Sequence, residues 1–184
     1  MPVNASNTKF GWMPRDFKLL SINDKYYSLE KIKGIKGTLI VFICNHCPYV
    51  IAIADRLSYE ANELFKIGVN TIAIMSNDVK KYPEDSFEKM KKFAKKYNFN
   101  FPYLYDEDQS IAKNFNAVCT PDFFGFNQYL ELQYRGRIDS GKMDSSNFEI
   151  ERELYEAMKL IVKSDKGPTK QYNSFGCSIK DRKS

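Results

Sequence analysis

Cys44 and Cys47 are separated by Asn45 and His46, and Pro48 follows the second sulfur. Two cysteines at this spacing can close a small disulfide, and their place in the chain adds to the chemistry. An apolar run, residues 39–43, ends just before the pair, and a helical pattern starts just after it. At such a junction the first sulfur lies near the unpaired N–H groups and partial positive charge of a helix N-terminus, which favour thiolate over thiol. The thiolate is the attacking species in disulfide exchange. This reading makes Cys44 the nucleophile and Cys47 the resolving thiol that expels a mixed disulfide. His46, the single histidine of the chain, would add stabilisation when protonated and stands where a substrate would touch it. Pro48 suits the first helical turn, where its missing N–H costs nothing. A strand-to-helix mouth is a surface position, so both sulfurs are expected at an accessible rim.

A metal ion competes for the same sulfurs. A closed zinc site takes about four ligands, and beyond the pair the soft donors are His46, Cys119 and Cys177. Adjacent His46 and Cys47 seldom bind one ion together, and the sequence has no second C-x-x-C and no H-x-x-x-H. The redox reading is preferred and no metal is assigned, with a metal-binding module on Cys44 and Cys47 kept as the alternative. Four cysteines in 184 residues are too few for a scaffold built on disulfides.

The elements that must hold the pair alternate between strand and helix. Residues 16–20 and 26–29 flank the turn-prone Asn23-Asp24 and predict a β-hairpin. A loop is expected over 31–36, then a strand over 39–43 with no polar alternation, as for one covered on both faces. Ile51, Ala54, Leu57 or Ser58, Ala61 and Leu64 recur at spacings of three and four and predict a helix face, ended by Gly68. A second apolar strand over 69–75 closes a β-α-β unit. A helix opening at Asp78 or Pro83 buries Phe87, Met90, Ala94 and Tyr97. The lysine cluster Lys89, Lys91, Lys92, Lys95 and Lys96 is expected on its solvated side rather than as a docking patch. Further on come a short strand over 101–106, a short helix over 109–115, strands over 123–126 and 128–136 joined at Asn127-Gln128, and a helix carrying Ile150, Leu154, Met158 and Ile161. The pattern predicts one α/β domain over 1–184, with an N-terminal extension and hairpin (1–30) and an extended or loosely packed C-terminal tail (164–184).

Composition removes other classes of function. The apolar share is 43% and the charged share 28%, near globular averages, so disorder and fibrous repeats are not indicated. No stretch nears the ~18 consecutive apolar residues of a membrane span. The net charge of +5 is modest and spread along the chain, unlike the gathered stripe of a nucleic-acid protein. No membrane or nucleic-acid partner is expected. The N-terminal residues lack a charged head followed by an apolar stretch, so the expected location is cytoplasmic. No organic cofactor is required, because the electrons reside on sulfur. The expected partners are a protein or small-molecule disulfide or dithiol, and a thiol electron donor.

Thr120-Pro121 precedes the apolar run 123–126 and reads equally as a strand-start proline or a cis-proline turn. The order strand, C-x-x-C, helix, strand, helix, X-Pro, hairpin, helix resembles the thioredoxin fold, with a central mixed sheet flanked by helices. More closely the chain is similar to the redoxins of the alkyl hydroperoxide reductase/thiol-specific antioxidant family. The resemblance is carried by Asp16-Phe17-x-Leu19, by Cys44-Asn45-His46-Cys47-Pro48-Tyr49-Val50 and by Cys119-Thr120-Pro121-Asp122-Phe123-Phe124. Tyr134-Arg135-Gly136-Arg137-Ile138-Asp139 and Gly176-Cys177-Ser178-Ile179-Lys180 carry it further. It implies a cis Thr120-Pro121 bond beside Cys44, with Thr120 and Pro121 free to bind an extended substrate.

One departure bears on function. Peroxiredoxins resemble the pattern P-x-x-x-T-x-x-C. With Cys47 laid on its cysteine, Cys44 replaces the threonine and Ile40 the proline. A thiol then stands where a hydroxyl would polarise peroxide, which favours thiol–disulfide exchange over a peroxidase acting through Cys47. The peroxidase, with peroxide as substrate, is the alternative. Arg137 is the guanidinium that would support such a thiolate, or else a surface arginine. Cys119 reads as buried filler or a further redox partner, and Cys177 as a tail thiol able to reach back to an intermediate or a residue with no redox part. Asp139, Asp122 and Glu60 are the candidate proton acceptors for Cys47, since a buried carboxylate would help to deprotonate it. Trp12 is expected as a cover over the core.

Overall fold

The computed structural model describes residues 2–4, 8–144 and 149–182. Residue 1 and residues 5–7 of the N-terminal extension, and residues 183–184 of the tail, lie outside the described residues.

The expected hairpin forms as β2 (Lys18–Ser21) and β3 (Tyr26–Ser28), antiparallel, with Asp24 in the left-handed conformation at the turn. A one-turn helix α1 (Leu29–Ile32) follows where the sequence read the start of a loop, because Leu29 is buried and anchors it. Strand β4 (Gly37–Phe42) is buried at every residue. Helix α2 (Pro48–Lys66) and strand β5 (Val69–Met75) complete the β-α-β unit, with β4 and β5 parallel and Gly68 at φ +86° between helix and strand. The buried side of α2 is Val50, Ile53, Ala54, Leu57, Ala61 and Leu64. Ile51, expected on that side, is 42% exposed: Val50 and Ile53 take the inward places of the first turn, while Ala54, Leu57, Ala61 and Leu64 lie inward as read in the sequence.

After β5 the chain makes a single 3-10 turn at Pro83–Asp85, then helix α3 (Phe87–Lys96), so Asp78 does not open the helix. Met90, Phe93 and Ala94 face inward, while Lys89, Lys92, Lys95 and Lys96 are exposed and half-buried Lys91 pairs with Asp24 and Glu88. Strand β6 (Tyr103–Tyr105), helix α4 (Ser110–Phe115), strands β7 (Cys119–Thr120), β8 (Asp122–Asn127) and β9 (Leu132–Gly136), and helix α5 (Glu153–Ser164) follow. The β8–β9 turn is longer than expected. Asn127 Oδ1 accepts the N–H groups of Tyr129 and Glu131, which delays β9 to Leu132. Ile150 precedes α5 rather than lying on it.

The main sheet has the order β3-β2-β6-β5-β4-β8-β9. It is mixed: β6, β5 and β4 run parallel, and β2, β8 and β9 join antiparallel. Successive residues of a strand point to opposite faces, and both faces are covered. Leu39 and Val41 meet α2, α3 and α5 through Leu57, Met90 and Met158, while Ile40 and Phe42 meet α1 and α4 through Leu29 and Phe115. That double cover is why β4 reads as an unbroken apolar run. Trp12 packs edge-on against Phe115, with ring centres 5.1 Å apart, as the expected cover over this second core. No described helix is long and apolar enough to cross a membrane.

The tail departs most from expectation. Rather than a loose arm, it carries strand β10 (Phe175–Ser178), which lies between β1 (Pro2–Asn4) and β7 in a second, three-stranded antiparallel sheet. Backbone pairing holds it, together with the buried Ser174 and Gly176.

Candidate active site

Strand β4 ends two residues before Cys44, and Cys47 is the N-cap of α2, with Pro48 at its first position and the Ile51 N–H bonded to the Cys47 carbonyl at 2.9 Å. Across from them the Thr120-Pro121 peptide is cis. Cys44 Sγ lies 3.4 Å from Thr120 Oγ1, and the Cys47 thiol reaches the Thr120 carbonyl oxygen at 3.2 Å. The fold thus brings Cys44, Cys47, Thr120 and Pro121 together from β4, α2 and the β7–β8 junction.

The pair is not at an open rim. Cys44 is 1% exposed and Cys47 0%. The cover is β10, whose Cys177 stands opposite Thr120 and whose Phe175 ring meets Tyr49 edge-on at 5.2 Å between centres. A tail strand occupies the β7 edge that the sequence reading left free for an extended substrate.

Electrostatics separate the two sulfurs. Cys47 is drawn down to about 5: the Cys44 thiol donates to it, as do the Cys177 thiol and the backbone N–H groups of Cys177 and Val50, against the opposing effect of burial. Cys44, donating to Cys47, buried and facing the Asp85 charge, is held well above the ordinary thiol range. Spacing placed the thiolate on Cys44 at the helix mouth; Cys47 is instead the N-cap of α2, and of the helix N–H groups that of Val50 helps to lower it.

A buried acid absent from the sequence reading shapes the turn between the cysteines. Asp85 Oδ1 accepts the Asn45 N–H at 2.8 Å, its Oδ2 accepts Asn77 Nδ2 at 2.8 Å, and His46 Nδ1 lies 2.8 Å from Oδ2 at ion-pair distance. Tyr103 donates to Asn45 Oδ1 at 3.0 Å, and the His46 ring stacks on Tyr82. His46 therefore faces Asp85 and Tyr82. Asp85 lies far from the cysteines in sequence, after Pro83, where an acid reads as ordinary helix-start chemistry; nothing there signals its role. Cys44, His46 and Asp85 offer one sulfur, one nitrogen and one oxygen within 4.8 Å of one another. That donor set suits a zinc-type ion in kind, but both Asp85 oxygens already accept hydrogen bonds and Cys47 is not part of the group.

The remaining sequence candidates are engaged elsewhere. Arg137 binds Glu153 through two 2.7 Å contacts and lies over Tyr172, so its guanidinium is committed away from Cys47. Asp139 pairs with Arg56, Asp122 with Arg135 and Glu60 with Arg152, so each of these acids is tied to its own guanidinium. Cys119 is fully buried, its sulfur 3.8 Å from the Pro121 carbonyl oxygen, and burial pushes its thiol far up. Cys177 is only partly buried, and burial together with donation to Cys47 pushes it up to about 11. Beside Pro121 and Phe175 a cleft of about 590 Å³ opens, lined also by Tyr49, Ile53 and Ile138.

Residues 12–140 match the model of the AhpC/TSA family. A chloroplastic peroxiredoxin Q of Triticum aestivum is 29% identical over 156 residues, which are 82% of this chain and 65% of that protein. An uncharacterised conserved protein of Geobacillus kaustophilus, seen in a crystal structure, is 38% identical with a TM-score of 0.93, over 100% of this chain and 98% of its own. A hypothetical protein of Sinorhizobium meliloti 1021 is 32% identical with a TM-score of 0.90, over 96% and 97%. A thioredoxin domain of a Bacteroides vulgatus thiol-disulfide oxidoreductase shares the fold at 12% identity and a TM-score of 0.65, over 85% of this chain and 99% of that one.

Proposed function

The chain belongs to the AhpC/TSA family, and from that premise we propose that it is a thiol–disulfide oxidoreductase whose working centre is the Cys44–Cys47 pair. The observation that carries this is geometric: Cys47 is the N-cap of α2, and the Cys47 and Cys44 sulfurs meet Thr120 of the cis Thr120-Pro121 junction at 3.2 and 3.4 Å, with the Cys47 thiol lowered and the Cys44 thiol raised in that setting. At neutral pH one sulfur is then a nucleophile and the other a proton carrier. The Cys47 thiolate attacks a disulfide sulfur brought to it, and a mixed disulfide forms. Cys44, steadied by Thr120 Oγ1 at 3.4 Å, gives up its proton and attacks Cys47. The partner leaves reduced and a Cys44–Cys47 bond remains, to be reopened by a thiol donor. This order exchanges the roles that spacing alone suggested. Position supports it: Cys47 is the N-cap residue of α2, and in a thiol exchange the more acidic sulfur both attacks at neutral pH and leaves more readily.

Turnover of a small model disulfide tests the reading. Cys47→Ser is expected to abolish it, and peptide mapping of oxidised wild-type protein is expected to find Cys44 joined to Cys47. Wild-type turnover in Cys47→Ser ends the proposal.

A second reading rests on the same low Cys47 and on the curated relatives, named peroxiredoxin Q: the thiolate attacks peroxide, and Cys44 resolves the sulfenic acid. Sulfenic acid at Cys47 forming no faster with hydrogen peroxide than at a free thiol overturns it.

A further inference from the structure

Cys44 and Cys47 are sealed from solvent, while Cys177 is partly exposed. The Cys177 side chain is packed against the apolar cluster that holds the sealed pair. It is on β10, directly opposite Thr120 in the antiparallel register, and the Cys47 thiol reaches the carbonyl oxygen of that same Thr120 at 3.2 Å, so Cys177 and Cys47 meet at one residue. The strand is fixed on both sides. Ile179 N–H bonds the Val118 carbonyl at 3.0 Å, Lys180 N–H bonds Asn77 Oδ1 at 2.9 Å, and on the other side Ser174 donates to the Gly136 carbonyl. A partner thus meets Cys177 before it meets the pair, and the strand that carries Cys177 runs along the β7 edge where an outside strand would otherwise lie.

We infer that Cys177 is the solvent-side member of a three-thiol relay, passing disulfides from outside partners to Cys47 and thence to Cys44. The inference rests on the redox-pair reading above and adds the route by which that pair exchanges with partners. A partner disulfide reacts first at Cys177: a bond forms between Cys177 and one partner sulfur, the partner's S–S bond breaks, and the Cys177 proton passes to the leaving sulfur. The Cys47 thiolate then attacks Cys177 Sγ, expelling the second partner sulfur and forming a Cys47–Cys177 bond. Cys44 loses its proton and attacks Cys47, forming Cys44–Cys47 and releasing Cys177. Two electrons have left the pair for the partner, whose two thiols are completed by the available protons and one from solvent. Run backwards with a thiol donor, the same steps reduce the pair. In that direction the donor attacks Cys177, and Cys47 departs as the more acidic sulfur, the faster leaving group in thiol exchange.

Glutathione disulfide is a suitable probe, with the full-length protein alkylated under acid quench and its disulfides mapped by mass spectrometry. In Cys44→Ser the final step is blocked, and the expected product is an intrachain Cys47–Cys177 bond. In Cys177→Ser the wild-type Cys44–Cys47 bond is expected to form at least about tenfold more slowly. Unfolding does not mimic this result, since loss of the cover would speed the reaction of the pair. Glutathione on Cys47 with no link to Cys177 in Cys44→Ser overturns the relay. So does a Cys44–Cys47 bond forming at the wild-type rate in Cys177→Ser. Wild-type protein that never acquires the Cys44–Cys47 bond sinks the redox-pair reading itself, and the relay with it.

Discussion

Gly176 packs so tightly on Thr120 that a Cβ added at 176 would stand 2.0 Å from the Thr120 carbonyl oxygen and 3.1 Å from Pro121 Cδ. Backbone atoms cannot yield by such a distance in place, so Gly176→Ala must lift β10 from the β7 edge. The thiols themselves are untouched. The expected outcome is that alkylation of Cys47 by a bulky maleimide quickens by about tenfold or more, the signature of local opening by ~1.4 kcal/mol or more. An unchanged rate would show that β10 does not limit access.

Asp85 is fully buried and accepts hydrogen bonds from Asn45 and Asn77. Asp85→Ala strands both donors, a change expected to cost about 2–4 kcal/mol in urea unfolding. Asp85→Asn keeps the shape and removes the charge. Since that charge helps to raise Cys44, the Cys44 thiol should titrate lower in the variant, read by thiolate absorbance in a Cys119→Ala, Cys177→Ser background. No movement of that titration would separate Asp85 from the chemistry and leave it a scaffold residue.

The reduction potential of the pair should carry the mark of a single proton. With Cys47 at about 5 and Cys44 protonated, reducing the disulfide at neutral pH takes up two electrons and one proton. A tenfold change in a two-electron equilibrium is ~30 mV, so the potential should fall by about 30 mV per pH unit between about pH 6 and pH 8. Two protonated thiols would instead give about 60 mV per unit. Equilibration against a glutathione buffer at several pH values decides between them.

The fold was largely legible because its signals are local and consistent. The unbroken apolar β4, Pro48 just inside α2 and Gly68 just beyond it each follow from burial or backbone geometry that sequence displays. The convergence of Cys44, Cys47 and Thr120-Pro121 was legible through resemblance. The order of the two sulfurs was open to a stricter reading: a proline at the first helical position makes Cys47 the N-cap, and the N-cap faces the helix N–H groups. Strand β10 was hidden because it has no apolar alternation; residues 173–178 are mostly polar or small, and backbone pairing with β7 and β1 makes them a strand. Its one residue-level signal was Gly176, whose need for close approach shows only once Thr120 is beside it.

The pair Asp122–Arg135 links the site to the core, since Asp122 follows Pro121 directly. The two side chains are 0% and 3% exposed and meet at 2.9 Å, with Arg135 also donating to the Asn116 carbonyl and lying over the Phe124 ring. Removing one partner of a buried pair leaves the other charge without compensation, so Asp122→Ala is expected to cost about 3–5 kcal/mol in urea unfolding. The pH dependence carries its own sign. Burial outweighs the Arg135 charge and raises the Asp122 carboxyl to about 6. A folded value above the unfolded one means stability that is fully present below the unfolded carboxyl's pKa and is lost as pH rises through about 6. The stability difference between wild type and Asp122→Asn should therefore shrink as pH rises from about 4 to about 7. A difference that grows over that range would mean that Arg135 holds the carboxylate ionised throughout, and that the pair is bound more by charge than it is opposed by burial.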